Sequence, residues 1–292
     1  MKPTSQSDYL KRIDRAIAAV AASLEEERPL PSAAALAAFA NFSPFHFMRV
    51  YRALAGEPLG ATVQRLRLTR AAHLLAGSLA PVSVIAGRVG FETPQSFARA
   101  FRQHFGLAPS EARNAIAEAP RAPEPPALAE AAIHIDVVAL EPFRVVVLRN
   151  RGAYSKIDEA YGRLFAWMAA RGALEAIAGL WGIPHHDRRD TPDEESLFDC
   201  CLAIAAPLDA AEGVTTKRIG GGRYLRHLHL GSFAQLDDAH DALLRGLLVS
   251  GQWQLRESPI LHEYLDDPEI TPEAQLRTHI YLPVESAFGA TS

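Results

Sequence analysis

Cysteine is scarce in this sequence. The only two, Cys200 and Cys201, are neighbours. Adjacent residues on a strand point to opposite faces, so this pair is poorly placed to bond to each other. A disulfide-built scaffold is excluded, and no zinc-ligand spacing surrounds them. Long apolar runs are missing too. None approaches the roughly 18 residues that a membrane-spanning helix needs. The opening residues, MKPTSQSDYLKRID, lack the apolar core of a secretion signal. Together these features predict a cytoplasmic chain with no membrane partner. His227 and His229 share a strand face and His185 and His186 are adjacent, but no third ligand stands at a sensible spacing. No P-loop or Ser-His-Asp pattern is evident. The expectation is therefore no metal, no cofactor and no enzyme.

What is present is the composition of an ordinary globular protein, with 48% hydrophobic and 22% charged residues over 292 positions. The length suits two domains. The net charge of -4 hides an asymmetry. Residues 1–119 hold 14 Lys+Arg against 9 Asp+Glu, and residues 120–292 hold 16 against 25. The first part is thus +5 and the second -9. The basic part favours Arg over Lys, as phosphate contact does.

The segment APRAPEPPALAEA (119–131) places four prolines within seven residues and reads as an extended linker. Before it, the pattern is helical. Residues 7–25 form an amphipathic helix, a short helix runs from Ser32 to about Ala38, and another helix follows Ser43. A long helix covers 58–76, a short one 82–88, one follows Thr93, and PSEAR (109–113) starts a last one. After the linker, β-rich runs appear at 133–140, 143–150, 197–205, 222–230 and 277–284.

The helical part repeats itself. SPFHFMRVYRALAG (43–56) and TPQSFARAFRQHFG (93–106) match at Phe47/Phe97, Arg49/Arg99, Tyr51/Phe101, Arg52/Arg102 and Gly56/Gly106. Ser43 and Thr93 are N-cap residues, and Pro44 and Pro94 fit the first helical position. The aromatics at i and i+4 bury one face, while the first Arg of each copy leaves on another. Gly56 and Gly106 suit a left-handed helix end, and Asn41 and Gly90 suit the turn before each helix. Short helix, tight turn and longer helix, twice over, is the helix-turn-helix arrangement. The intervening helix of about 19 residues spans roughly 28 Å, close to one turn of DNA.

Residues 9–113 resemble the tandem helix-turn-helix domain of AraC-family transcription regulators, most clearly in IAGRVGFETPQSFARAFRQHFGLAPSEAR (85–113). The resemblance implies that helices 43–56 and 93–106 read adjacent major-groove segments. By position, Phe45, Met48 and Arg49 would face bases in the first, and Gln95, Ser96 and Arg99 in the second. Arg52 and Arg102 would meet phosphates. Ala112 and Gly87 depart from the family pattern, which usually has Tyr and a larger helical residue there.

The second half repeats at an offset of 79. RGAYSKIDEAYGRLFAWMAARG (151–172) aligns with LGSFAQLDDAHDALLRGLLVSG (230–251). Each unit reads as strand, strand, helix, strand, strand, with the helix on one face of an antiparallel sheet. FRVVVLRNRGAY, LFDCCLAI, GGRYLRHLHLGSF and HEYLDDPEITPEAQLRTHIYLPV resemble the GyrI-like effector-binding domain. That likeness implies an apolar or cationic ligand bound between the two units, near a glutamate at Glu263, with Tyr281, Trp181 and Tyr154 as pocket aromatics. The first unit has Ile183 or Pro184 where the second has Glu263, so the carboxylate breaks the repeat. An aromatic wall with one carboxylate suits a cation.

The expected architecture has two domains. Residues 7–118 form an all-α tandem helix-turn-helix domain, 119–131 a linker, and 132–286 an α+β domain of two pseudo-two-fold repeats with an antiparallel sheet. The expected function is a ligand-responsive DNA-binding regulator, with promoter DNA, a small-molecule effector and RNA polymerase as partners. Two alternatives remain open. In one, the second domain is a hydrolase using Tyr281 and Glu263; in the other, it holds a protein partner on a constitutive DNA binder.

Overall fold

The computed structural model describes residues 6–114, 134–189, 191–211, 213–250 and 252–286. Two compact units divide the chain: Leu10–Leu128, and Ala129–Ser292 together with Met1–Tyr9. The expected linker at 119–131 and the domain limits beside it lie outside the described residues.

The first unit is helical: α1 (Gln6–Glu25), α2 (Ala33–Phe39), α3 (Pro44–Ala55), α4 (Leu59–Gly77), α5 (Val82–Arg88), α6 (Pro94–Phe105) and α7 (Pro109–Asn114). These bounds follow the expected ones closely because punctuation sets them. Proline opens α3 and α6, and Gly56 and Gly106 close them at φ 72° and 77°. The turn before α6 needs glycine for two reasons. Gly90 sits at φ 82°, and a Cβ there would stand 3.3 Å from the Arg67 guanidinium.

The two copies are not equally capped. Thr93 Oγ1 accepts a bond from the Ser96 amide at 3.1 Å. Ser43, expected to do the same, makes no side-chain cap, and its hydroxyl is buried without a partner among the described residues. The backbones differ at this point, with φ -69° at Ser43 and -133° at Thr93. In the second copy Phe97, Phe101 and Ile85 pack on Leu68 and Leu75 of α4. Each fully buried phenylalanine there stabilises the unit by about 1.5–3 kcal/mol.

Among the described residues after position 133, the second unit is one antiparallel sheet with two α-helices. Its elements are β1 (Asp136–Leu140), β2 (Phe143–Arg151), α8 (Ile157–Ala170), β3 (Ile177–Pro184), β4 (Leu197–Ile204), β5 (Val214–Ile219), β6 (Gly222–Leu230), α9 (Leu236–Ser250), β7 (Trp253–Leu255), β8 (Leu261–Tyr264) and β9 (Arg277–Ser286). The strands lie in the order β1-β6-β9-β8-β3-β4-β2-β5, and β7 adds to β9. The repeats exchange their first strands: β1 pairs with β6 of the second, and β5 with β2 of the first. The centre is the β3–β8 pair, with Trp181 opposite Glu263. At the β5–β6 turn, Gly220 (φ 80°) lies so close to the β1–β2 turn that a Cβ would meet the Glu141 carbonyl at 2.9 Å.

α8 covers one face of the first repeat, where Leu164, Trp167 and Met168 pack on Val146, Phe198 and Leu202. The opposite face carries Val145, Val147, Trp181, Tyr224, Leu261 and Tyr281. Cys200 falls in the first cluster and Cys201 in the second, and both are free thiols. Burial, then the nearby Asp199, pushes the Cys200 thiol up to about 12. Only the thiolate reacts. Both cysteines are therefore expected to resist iodoacetamide at pH 8 in the folded protein and to react once it is unfolded in urea. Fast labelling of the native chain would contradict their placement.

Candidate functional site

On α6, one face is buried and another open. Phe97, Ala100 and Phe101 are buried, whereas Gln95, Arg99 and Arg102 are exposed. Ser96 is half-buried, and its hydroxyl donates to the Thr93 carbonyl at 2.8 Å, so it belongs to the cap. Arg99, Ser96 and Gln103 line a recess of about 380 Å³ with Gln64 and Arg67 of α4. Arg67 has no hydrogen bond or ion pair among the described residues, and burial lowers its guanidinium from the usual value. The recess thus joins two guanidiniums with amide and hydroxyl groups and contains no acid, as a phosphate-facing surface does.

α3 differs. Phe47, Val50 and Tyr51 are buried, but so are His46 and Arg49, the latter only 2% exposed. Arg49 was expected on a free face; it is enclosed instead. A residue two positions past a core aromatic points outward only when nothing else covers that side, and α3 is covered on both. Met48 and Arg52 are half-buried, and the Phe45 side chain lies outside the described residues.

In the second unit, Glu263, Tyr281 and Trp181 come together. The Tyr281 hydroxyl donates to Glu263 Oε2 at 2.6 Å, and Trp181 lies 5.4 Å from the Tyr281 ring. Strand alternation explains the grouping. Glu263 and Leu261 share a face of β8, Tyr281 and His279 share a face of β9, and Trp181 pairs with Glu263. Burial first, then the bond to Glu263, raises the Tyr281 phenol well above its ordinary value, so it stays protonated at neutral pH. Glu263 Oε1 has no partner among the described residues, and the side chain is 26% exposed.

Tyr154 is not part of this group. It lies 5.5 Å from Phe198, with the Arg188 guanidinium 5.1 Å above its ring. It lines a cavity of about 630 Å³ with Phe233, Tyr264, His262, Asp158 and Asp237. Residues of both repeats line this cavity, on the helix-covered face. His262 and Tyr264 reach into it, so Glu263 between them points the other way. The expectation that Tyr154 shares a pocket with Glu263 is corrected by this alternation.

Sequence reasoning missed His279, whose Nδ1 lies 3.0 Å from Glu263 Oε2. Its position two residues before Tyr281 was the available signal. It also missed Phe143, 4.8 Å from Trp181, and Arg226, opposite Tyr281, since both depend on strand order. Asp199 is fully buried and ion-paired with Arg149, His185 and Lys217 at 2.6, 3.1 and 2.9 Å.

Residues 134–285, more than half of the chain, match the GyrI-like small molecule binding domain. The chain belongs to the GyrI-like family. Ahead of its GyrI-like domain, residues 36–115 match a helix-turn-helix domain, which is of the AraC type. Similar proteins include the transcriptional activator AarP of Providencia stuartii, 35% identical over 75 residues, 26% of this chain and 56% of that one. The activator RclR of Escherichia coli is 36% identical over 81 residues, 28% of each chain. MarA of Salmonella typhimurium is 30% identical over 73 residues, 25% of this chain and 58% of that one. The GyrI-like chain therefore spans about half, or less, of the length of the curated relatives it matches.

Proposed function

We propose that this chain is a transcription regulator that binds promoter DNA through its helix-turn-helix units and responds to an aromatic cation held at Glu263. The open face of α6 carries the DNA half of this reading. Gln95 matches the edge of adenine, Arg99 that of guanine, and Arg102 a phosphate. Met48, Arg49 and Arg52 of α3 take part only in a state in which Arg49 is uncovered, with Phe45 beside them. The observation that carries the ligand half is a carboxylate beside Trp181, Tyr281 and Phe143, one of whose oxygens has no partner among the described residues. A cation gains both Coulomb and cation–π attraction there. Coupling follows if the ligand binds the two DNA-binding states unequally. RNA polymerase is the further partner of this reading.

The test uses the full chain, a random duplex library and 1-methylquinolinium, an aromatic cation that does not titrate. The chain is expected to select one sequence, and the cation to change its affinity for that sequence. Failure to select any sequence would overturn the DNA reading; selection that the cation leaves unaltered would favour a constitutive binder. Glu263→Gln is expected to weaken 1-methylquinolinium about tenfold, and its neutral isostere 1-methylnaphthalene less than twofold, read by quenching of tryptophan fluorescence. Equal losses would remove Glu263 from the charge role.

The Tyr281–Glu263 hydrogen bond also fits a second reading, hydrolysis of an electrophilic ligand with the phenol as acid. Product release from such a compound, abolished by Glu263→Gln, would support it; binding without turnover supports the regulator.

A further inference from the structure

Glu263 and His279 face each other across β8 and β9. The corresponding cross-strand pair of the first repeat, between β3 and β4, is Ile183 with Asp199. The first repeat instead carries its acid on β4, where Asp199 is shared by Arg149, Lys217 and the His185 imidazole, so an acid and an imidazole paired directly across two strands belong to the second repeat. Oε2 of Glu263 receives both the His279 Nδ1 bond and the Tyr281 hydroxyl. To donate to Oε2, Nδ1 must carry hydrogen, so Nε2 is the nitrogen that gains or loses the titrating proton. The His279 and Glu263 side chains are 20% and 26% exposed, within reach of a ligand and of water.

On the strands beside the pair, the other charges are bonded in turn. On β9, Arg277 is bonded to Asp266 at 2.8 Å, and the Tyr281 phenol is neutral. On β6, Leu228 stands opposite His279, and Arg226, opposite Tyr281, is bonded to Asp136 of β1 at 3.0 Å. On β3, uncharged Trp181 stands opposite Glu263. These two pairs cancel, with the His134 imidazole also 3.2 Å from Asp136; beyond Trp181 on the same face, Arg149, Lys217 and the His185 imidazole gather on Asp199, apart from Glu263 and His279. The net charge of Glu263 and His279 together is -1 when the imidazole is neutral and zero when it is protonated.

We propose that His279 determines the charge class of ligand that the Glu263 site accepts. The neutral imidazole leaves a carboxylate that draws an aromatic monocation to Oε1. The protonated imidazole is an internal counter-ion, and the site then favours neutral aromatics of the same shape. This inference rests on the assignment of Glu263 as the ligand carboxylate. By linkage, cation binding and proton binding at His279 oppose each other: cation affinity rises with pH, and the bound cation expels a proton.

The experiment titrates the full chain with 1-methylquinolinium and 1-methylnaphthalene from pH 5.5 to pH 8. The cation is expected to bind about tenfold more tightly at the upper pH, and the neutral compound to change less than twofold. In His279→Asn, the amide nitrogen replaces Nδ1 as the donor but cannot take up a proton. That variant is expected to bind the cation with no pH dependence over this range. A second readout needs no variant: calorimetry at pH 6.5 in two buffers of different ionisation heat should reveal proton release when the cation binds. Wild-type pH dependence retained in His279→Asn, or no proton release, would overturn the role of His279. If Glu263→Gln binds the cation as well as wild type does, the site assignment itself fails. If Glu263→Gln weakens the cation while His279→Asn behaves as wild type, only the present inference fails.

Discussion

Asp199→Asn is expected to lower the unfolding free energy of the GyrI-like domain by about 3 kcal/mol at pH 7. Asp199 is fully buried on β4, and two cations, Arg149 and Lys217, and the His185 imidazole converge on it. The amide is the same size as the carboxylate, so the change opens no cavity. It leaves Arg149, His185 and Lys217 without their shared acid. Removing one partner of a buried pair costs about 3–5 kcal/mol. The low end applies because the Arg149 and Lys217 side chains are 38% and 42% exposed and stay partly hydrated.

The pH dependence has a definite sign. Burial alone would push the Asp199 carboxyl up, but the bonds from His185, Arg149 and Lys217 outweigh it and hold it well below the usual carboxylate range. A folded pKa below the unfolded one, about 3.9, contributes stability that is present above that pH. That stability is lost as pH falls towards the folded value. The gap between wild type and Asp199→Asn should therefore be smaller at pH 3 than at pH 7. Urea melts followed by tryptophan fluorescence measure it cleanly, because Trp167, Trp181 and Trp253 all belong to the second unit. An equal gap at both pH values would mean that the carboxylate charge is not what matters.

Arg99→Ala is expected to cost about 1–3 kcal/mol of specific DNA affinity and to relax discrimination at one base position. The guanidinium is exposed on α6 while Phe97 and Phe101 anchor the opposite side, so the substitution leaves the core intact. Arg102→Ala is its contrast: binding should weaken across all sequences and the salt dependence should flatten. Competition binding against single-base variants of the selected site separates the two. Undiminished discrimination in Arg99→Ala would show that another residue reads that base.

The helical half was legible in unusual detail. Its boundaries rest on residues that act locally: Pro44, Pro94, Thr93, Gly56, Gly90 and Gly106. Legibility stopped where distant chain decides. The matching SPF and TPQ copies made Arg49 and Arg99 look alike, yet one is buried and the other open. Ser43 and Thr93 also look alike, and only Thr93 caps its helix. Neither difference is encoded within the repeat.

In the second half, period-two alternation made most strands readable and separated Cys200 from Cys201. The offset of 79 revealed the two repeats, and the broken symmetry at Glu263 marked the carboxylate. These features depend on the order of residues along the chain, which the sequence itself determines. Only the tertiary structure decided that the repeats exchange their first strands, that β3 and β8 meet at the centre, and that Tyr154 faces away from Glu263. It alone brought His279, Tyr281 and Trp181 onto one carboxylate. Strand order is set by the burial of whole faces against helices, and that energy belongs to no single segment.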